Sequence, residues 1–215
     1  MRNALWVSLY AVAMAAVESV VVVYLRALHR GDAPLTVLLH EIPARLVPIE
    51  IAREAATLVM LVAVAAVAGK SAWEGFLYFA LAFGVWDIFY YVWLWVLIGW
   101  PPSLLTWDVL FLIPVPWLGP VIAPVIVSLC LVGGSLWLLS RPARRLPGPA
   151  WGLAIAGGAL VLLSFTVDYH YALARTDPPR FRWELFWAGI AVAGFGVGWG
   201  SRRALTEARA TAPRP

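Results

Sequence analysis

Residues 76–98 read FLYFALAFGVWDIFYYVWLWVLI, and Asp87 is the single charged residue in this apolar segment. An α-helix needs about 20 apolar residues to cross the hydrocarbon core of a bilayer. The segment satisfies that length, and it is longer than the helices that usually fill a soluble core. It therefore predicts a transmembrane helix, which we place at 74–99.

Similar apolar segments make up most of the chain. Of its 215 residues, 62% are hydrophobic and 13% are charged, and the mean hydropathy is +0.82. In a soluble domain about a quarter of the residues are charged, so this composition excludes the soluble class. We predict an all-α fold, a polytopic membrane helix bundle of about six transmembrane helices at 4–26, 47–69, 74–99, 118–140, 150–172 and 183–201.

These spans follow one another closely, so we expect a single transmembrane domain over 1–201 and a polar cytoplasmic tail over 202–215. The first span is longer than the apolar region of a signal peptide and has no convincing small-residue cleavage site. It also contains Glu18. We therefore expect it to be a retained first helix.

The connection before the fourth span is rich in proline. Trp100-Pro101-Pro102 ends the third span, and Ser103 is a candidate N-cap for a helix over 104–113. Pro114, Pro116 and Pro120 follow, and a proline inside a helix removes a hydrogen bond and clashes with the preceding turn. The pattern predicts a short interfacial or re-entrant helix before the fourth span.

The basic residues lie mostly in loops and tails. The formal net charge is +4 and the pI about 9.6, but the charges are placed where they orient a membrane protein, and no nucleic-acid partner is expected. More Lys and Arg fall on the side of the termini than on the opposite side, which predicts that both termini are cytoplasmic. Cys130 is the only cysteine, so an intramolecular disulfide and a CxxC redox centre are excluded.

Ionisable residues gather in the half of the predicted bundle that lies away from the termini. A charge at the bilayer centre costs at least ~2.5 kcal/mol on insertion scales, so such residues normally face the bundle interior and mark function. Glu50 and Glu54 share a helix face with Arg53 alongside, and Asp87 begins a polar stripe on the third span. The candidate catalytic residues are Glu18, Glu50, Arg53, Glu54, Asp87, Tyr90 and Tyr91.

These residue types suit more than one chemistry. Like-charged carboxylates in a low dielectric cannot all stay ionised, so some must be protonated, paired with Arg53 or bound to a cation. In an enzyme the carboxyl groups would be metal ligands or acid/base groups, and the two tyrosines would orient the substrate. Trp86, Tyr90 and Trp93 share a helix face and could form an aromatic wall, although packing is their ordinary role.

A divalent metal is the one cofactor that the residues suggest. Carboxylates from several helices together with histidine are the ligand type used in di-iron helix bundles, although the Glu-x-x-His pair of those proteins is absent. His40 and His170 fall at the expected outer ends of spans. The candidate metal ligands are Glu18, His40, Glu50, Glu54, Asp87 and His170.

Three functions remain open at this stage. The first is a membrane-embedded enzyme, metal-dependent or not, acting on a lipid or other apolar substrate. The second is a proton- or cation-coupled transporter in which Glu18, Glu54 and Asp87 form a relay. The third is a non-catalytic subunit of a larger membrane complex. The chain has no P-loop, GxSxG, HExxH or GxGxxG motif.

Glycines recur on one segment of the last span. Gly194 and Gly198 form one GxxxG pair, and Gly196 and Gly200 form a second. Small residues at this spacing allow two helices to approach closely in a membrane. The Gly194–Gly200 face predicts either packing within the chain or contact with a second copy or a partner membrane subunit, beside the surrounding lipid bilayer.

Overall fold

The computed structural model describes residues 2–28, 46–141, 146–174, 176 and 178–210. The helices of this part of the chain are α1 (Arg2–Leu28), α2 (Val47–Ala68), α3 (Ala72–Ile98), α4 (Ile122–Leu139), α5 (Gly148–Thr166), the short α6 (Tyr169–Ala174) and α7 (Trp183–Ala210). Two short strands, β1 (Trp107–Val109) and β2 (Leu118–Pro120), lie between α3 and α4. The all-α fold class is therefore confirmed.

Local signals set the ends of α3. Ser71 is its N-cap, and the Ser71 hydroxyl accepts the backbone N–H of Glu74. Gly99 follows its last turn with φ of 67°, a left-handed conformation that glycine adopts without steric cost. Ser71 therefore starts the helix and Gly99 ends it before Pro101. These two ends account for the agreement of α3 with the predicted span at 74–99.

Among the described residues, five helical segments are long and apolar enough to cross a membrane: Arg2–Leu25, Val47–Ala68, Ala72–Ile98, Ile122–Leu139 and Gly148–Ala174. Their outward faces carry large apolar side chains, among them Leu5, Val67 and Trp95, which are exposed. Exposed apolar surface on this scale is unfavourable in water and natural against lipid tails. The chain is thus a multi-pass integral membrane protein.

The predicted sixth span at 183–201 lies within α7, which is not among these five segments. Its glycines and tryptophans lower its mean hydropathy. A Cβ on Gly189 would meet Val161 of α5, and one on Gly200 would meet Ala150 near the start of α5. The two helices are therefore antiparallel neighbours along the length of a membrane span, which favours a sixth crossing.

The glycine face of α7 divides into two parts. A Cβ on Gly196 would lie 2.7 Å from the Leu153 Cβ, and one on Gly200 would lie 2.5 Å from the Ala150 Cβ. That pair therefore packs within the chain. Nothing lies within 4 Å of a Cβ on Gly194 or Gly198. Contact of this second pair with another copy or subunit stays a prediction. The helix also continues to Ala210, into the predicted tail.

The short helix predicted over 104–113 is wrong. Trp107–Val109 instead pairs antiparallel with Leu118–Pro120, and Asp108 lies opposite Gly119. Ser103 does cap a local structure, since its hydroxyl accepts the N–H of Leu105, but that structure is a turn. Pairing across the loop satisfies backbone groups that the prolines would have left open in a helix. We call residues 107–120 the hairpin.

The described residues fall into two compact units. The first comprises Met1–Ser140 with Tyr169–Pro178, and the second comprises Arg141–Asp168 with Pro179–Pro215. In the first unit α3 is central and packs against α1, α2 and α4. Small buried residues such as Ala11, Ala15 and Ala82 let these helices approach closely. The second unit is built on the contact of α5 with α7.

Candidate functional site

A polar cavity lies within the first unit, between α1, α2, α3 and the hairpin. Its volume is about 60 Å³, which is enough for a few water molecules or a small ion and too little for a lipid acyl chain. The residues that line it are Glu18, Arg53, Glu54, Thr57, Trp86, Asp87, Tyr90, Tyr91, Val109, Leu110 and Phe111.

One guanidinium group holds two carboxylates at the edge of this cavity. Arg53 on α2 forms ion pairs with Glu18 on α1 through Nη1 and with Glu50 one turn earlier through Nε, the latter at 2.7 Å. The Thr57 hydroxyl donates a second hydrogen bond to Glu18 at 3.1 Å. Both carboxylates are buried. The charge of Arg53 thus compensates the two acids and ties α1 to α2.

Glu54 connects α2 to the hairpin. Its carboxylate accepts the backbone N–H of Leu112, with 2.9 Å between that nitrogen and Oε2. The side chain is buried beside the cavity, although it belongs to the residue type that is almost never buried without a partner. The partner is a neutral amide, so the hydrogen bond holds the hairpin in place without compensating a negative charge.

Asp87 and Tyr91 form the opposite side of the site on α3. The Ser128 hydroxyl of α4 donates to Asp87 at 2.8 Å, and the Tyr91 hydroxyl donates to Asp108 of the hairpin at 2.9 Å. Asp108 is almost fully buried and also accepts the N–H of Val109. The hydrogen bonds Tyr91–Asp108 and Glu54–Leu112 therefore attach the hairpin to α3 and α2.

Aromatic rings close one wall of the cavity. Trp86 stacks on Tyr90, with 6.3 Å between ring centroids, and packs against Phe111 of the hairpin. Trp93, the third residue of the predicted wall, is not among the residues that line the cavity. Its indole N–H donates to the carbonyl of Val12 on α1. Trp93 therefore packs two helices together, and Phe111 takes the place expected for it.

The structure brings together most of the predicted catalytic residues. Six of them line the one cavity: Glu18, Arg53, Glu54, Asp87, Tyr90 and Tyr91. Glu50 lies beyond the lining and contacts the site through its ion pair with Arg53. These six predicted residues are therefore neighbours in the fold. Whether these residues act in catalysis stays a prediction.

The predicted metal ligands do not converge in the part of the chain that is described. No three or more His, Cys, Asp or Glu side chains there are arranged to hold a metal ion. The carboxylates have other partners: Glu18 and Glu50 pair with Arg53, and Glu54 accepts a backbone N–H. His170 is exposed on α6 and does not line the cavity, whereas His40 lies outside the described residues.

Several partners in the site were not anticipated. Thr57 follows Glu54 by three residues on the same helix face, so a search for polar neighbours at that spacing would have found it. Ser128 and Asp108 come from a different helix and from the hairpin. Their positions depend on tertiary packing and on a strand register that the helix pattern does not contain. No local signal could have identified these two.

No protein-family model, no curated protein and no solved structure matches this chain. The class that the fold defines is a multi-pass integral membrane protein.

The Tyr91–Asp108 hydrogen bond leads to a stability prediction. Replacing Tyr91 by phenylalanine leaves a buried carboxyl group without this donor, which we expect to cost about 2 kcal/mol of unfolding free energy. The measurement is thermal or denaturant unfolding in mild detergent. Tyr24→Phe is the matched control, because Tyr24 is exposed on α1. Equal stability of the two variants would show that the contact does not hold the hairpin.

Proposed function

We propose that the protein is a small proton- or cation-coupled membrane carrier and that the polar cavity is its ion-binding site. The observation that carries the proposal is the charge around the cavity. Three carboxyl groups, Glu18, Glu54 and Asp87, share it with a single guanidinium, Arg53. Arg53 also pairs with Glu50. Within the part of the chain that the structure describes, these four buried acids therefore have one basic partner.

The excess acids need a proton or a cation. Glu18 and Glu50 share the charge of Arg53, whereas the hydrogen-bond partners of Glu54 and Asp87 are a backbone N–H and a hydroxyl. The charge of Arg53 also acts on Glu54, but one guanidinium cannot neutralise all of these acids. Holding the remaining carboxylates ionised in a membrane interior is costly. Protonation or a bound small cation relieves that cost, so the charge on these two side chains is exchangeable.

The size of the cavity supports a small occupant. A space of about 60 Å³ accommodates water or a small ion. The proposal places both termini on the cytoplasmic side, with α7 as the sixth crossing, so that the cavity opens toward the outer half of the bilayer. The hairpin would then lie on the path between the cavity and the outer surface.

A membrane-embedded enzyme acting on a lipid or other apolar substrate is the second candidate. The observation in its favour is the apolar lining contributed by the hairpin at Val109, Leu110 and Phe111, next to the carboxyl groups. Displacement of the hairpin would let an apolar group reach Glu54 and Asp87. In this case the carboxyl groups would transfer protons to and from the substrate.

The carrier proposal predicts proton flux that depends on the cavity acids. The purified protein is reconstituted in liposomes whose lumen holds a pH-sensitive dye. The lumen should acidify when a membrane potential is imposed. The measurement is made with and without Na⁺ outside. We expect Glu54→Gln and Asp87→Asn each to reduce the flux at least about tenfold, because general acid–base groups typically contribute 10²-fold or more to proton transfer. Flux indifferent to both substitutions would contradict the proposal.

Glu184→Gln is the matched control for this measurement. Glu184 is an exposed acid of α7 whose partner is Arg180, so its loss should leave the flux unchanged. Lipid extracts from the same vesicles distinguish the second candidate. A new lipid product that requires Glu54, in the absence of any flux, would replace the carrier by the enzyme.

A further inference from the structure

A groove separate from the polar cavity lies where α2 ends and α3 begins. Its volume is about 540 Å³. The walls are apolar, with Val62 and Ala66 on α2 and with Phe76 and Phe79 on α3. Since both helices are membrane spans, the turn between them lies at a face of the bilayer, and the groove runs from that face along the apolar side chains.

Two glycines with different surroundings shape the groove. A Cβ on Gly69 would lie 2.4 Å from the backbone nitrogen of Gly75, so the two helix ends meet closely at this point. A Cβ on Gly75 would make only ordinary contacts, the nearest at 3.8 Å from the Ala65 carbonyl oxygen. The space over Gly75 is therefore open, and it would be filled by a larger side chain at that position.

Basic residues lie at the polar end of this groove. Lys70 lines it and is exposed. The Asn3 side chain donates to the Ala68 carbonyl at 2.9 Å, which places Arg2 of α1 at the same end of the helices. Among the residues that the structure describes next to Lys70, the acidic one is Glu74, which accepts the backbone N–H of Lys70. Two cations and one carboxylate leave this end positively charged.

We infer that the groove binds one anionic phospholipid, with an acyl chain along the apolar walls and the phosphate beside Lys70. The occupant follows from the combination of features. An apolar channel that begins at a membrane face suits a lipid tail, and a basic residue at its mouth selects an anionic headgroup over a zwitterionic one. The inference does not depend on the proposed ion site, since no residue is shared between them.

The test is native mass spectrometry of the purified chain in detergent, titrated with phosphatidylglycerol or with phosphatidylcholine of the same acyl chains. We expect one phosphatidylglycerol to bind with about fivefold preference, the contribution of one basic residue beside anionic headgroups. Lys70→Gln should abolish the preference and Lys70→Arg should keep it. Gly75→Phe should weaken the binding of both lipids.

Arg180→Gln is the control for charge alone, because Arg180 is exposed and lies in the second unit. If Gly75→Phe does not fold, Ala66→Phe fills the same groove from α2. Equal binding of the two lipids by the wild-type protein would overturn the inference. Unchanged binding in both the charge variant and the filled-groove variant would overturn it as well.

Discussion

Replacing Arg53 by methionine is expected to destabilise the protein by about 3–5 kcal/mol, the cost of removing one partner from a buried ion pair. The guanidinium pairs with Glu18 on α1 and with Glu50 on α2, and both carboxylates are buried. Methionine fills a similar volume but leaves the acids without a cation. They must then take up protons or open the contact between α1 and α2.

The expected result can be measured as a shift of the thermal unfolding midpoint in detergent, together with proton flux in liposomes. Arg53→Lys is the conservative control. It keeps the charge but cannot present the planar fork that reaches two carboxylates at once, so an intermediate loss is expected. A double variant, Arg53→Met with Glu18→Gln, removes one uncompensated acid and should recover part of the stability.

The two readouts separate the structural role of Arg53 from a role in the ion site. A methionine variant as stable as the wild type would show that the acids are already neutral without the guanidinium. Full proton flux in a folded Arg53→Met variant would show that the guanidinium does not affect proton exchange at Glu54 and Asp87. Loss of flux in the folded double variant, with flux retained in Glu18→Gln alone, would place Arg53 in the carrier mechanism.

Hydropathy and local breakers were sufficient to predict where α2 and α3 begin and end. The span predicted at 47–69 is observed as Val47–Ala68, and the one at 74–99 as Ala72–Ile98. A helix in lipid satisfies its backbone hydrogen bonds internally, so an apolar segment of sufficient length has few alternatives. Pro48, Ser71 and Gly99 then set the ends within a few residues. The information is local in each case.

The hairpin was not predictable by the same argument. The segment 104–113 is apolar enough for a helix, and its observed form depends on pairing of Trp107–Val109 with Leu118–Pro120 across the intervening prolines. That register is a relation between two short segments. Neither of them has a strand pattern long enough to recognise alone.

The site shows the same division between local and long-range information. Because an intramembrane charge is costly, Glu18, Arg53 and Asp87 were expected to share an interior, and they do line one cavity. The partners that set their individual roles, such as Ser128 and the Leu112 N–H, come from other parts of the fold. The metal-ligand prediction finds no support among the described residues, where Glu18 and Glu50 pair with Arg53 and Glu54 accepts a backbone N–H.

The second large effect is expected in the second unit, where α5 and α7 touch through glycine. A Cβ on Gly157 would lie 2.4 Å from the Ala193 nitrogen and 2.5 Å from the Gly189 carbonyl oxygen. These atoms belong to the backbone and cannot move without separating the helices. Gly157→Leu should therefore cost at least about 3 kcal/mol, the upper part of the range for overpacking a close contact.

The neighbouring glycine supplies the control for this prediction. Nothing lies within 4 Å of a Cβ on Gly158, so Gly158→Leu should change stability by no more than about 0.5 kcal/mol, as surface substitutions usually do. The two variants differ only in which face of α5 carries the new side chain. Thermal unfolding in detergent measures the result, and equal behaviour of the pair would refute the close contact.

The same substitution on the open face of α7, Gly194→Leu, extends the comparison to that helix. If the protein forms an oligomer, a stable Gly194→Leu variant that has lost it would identify this face as the contact with a second copy.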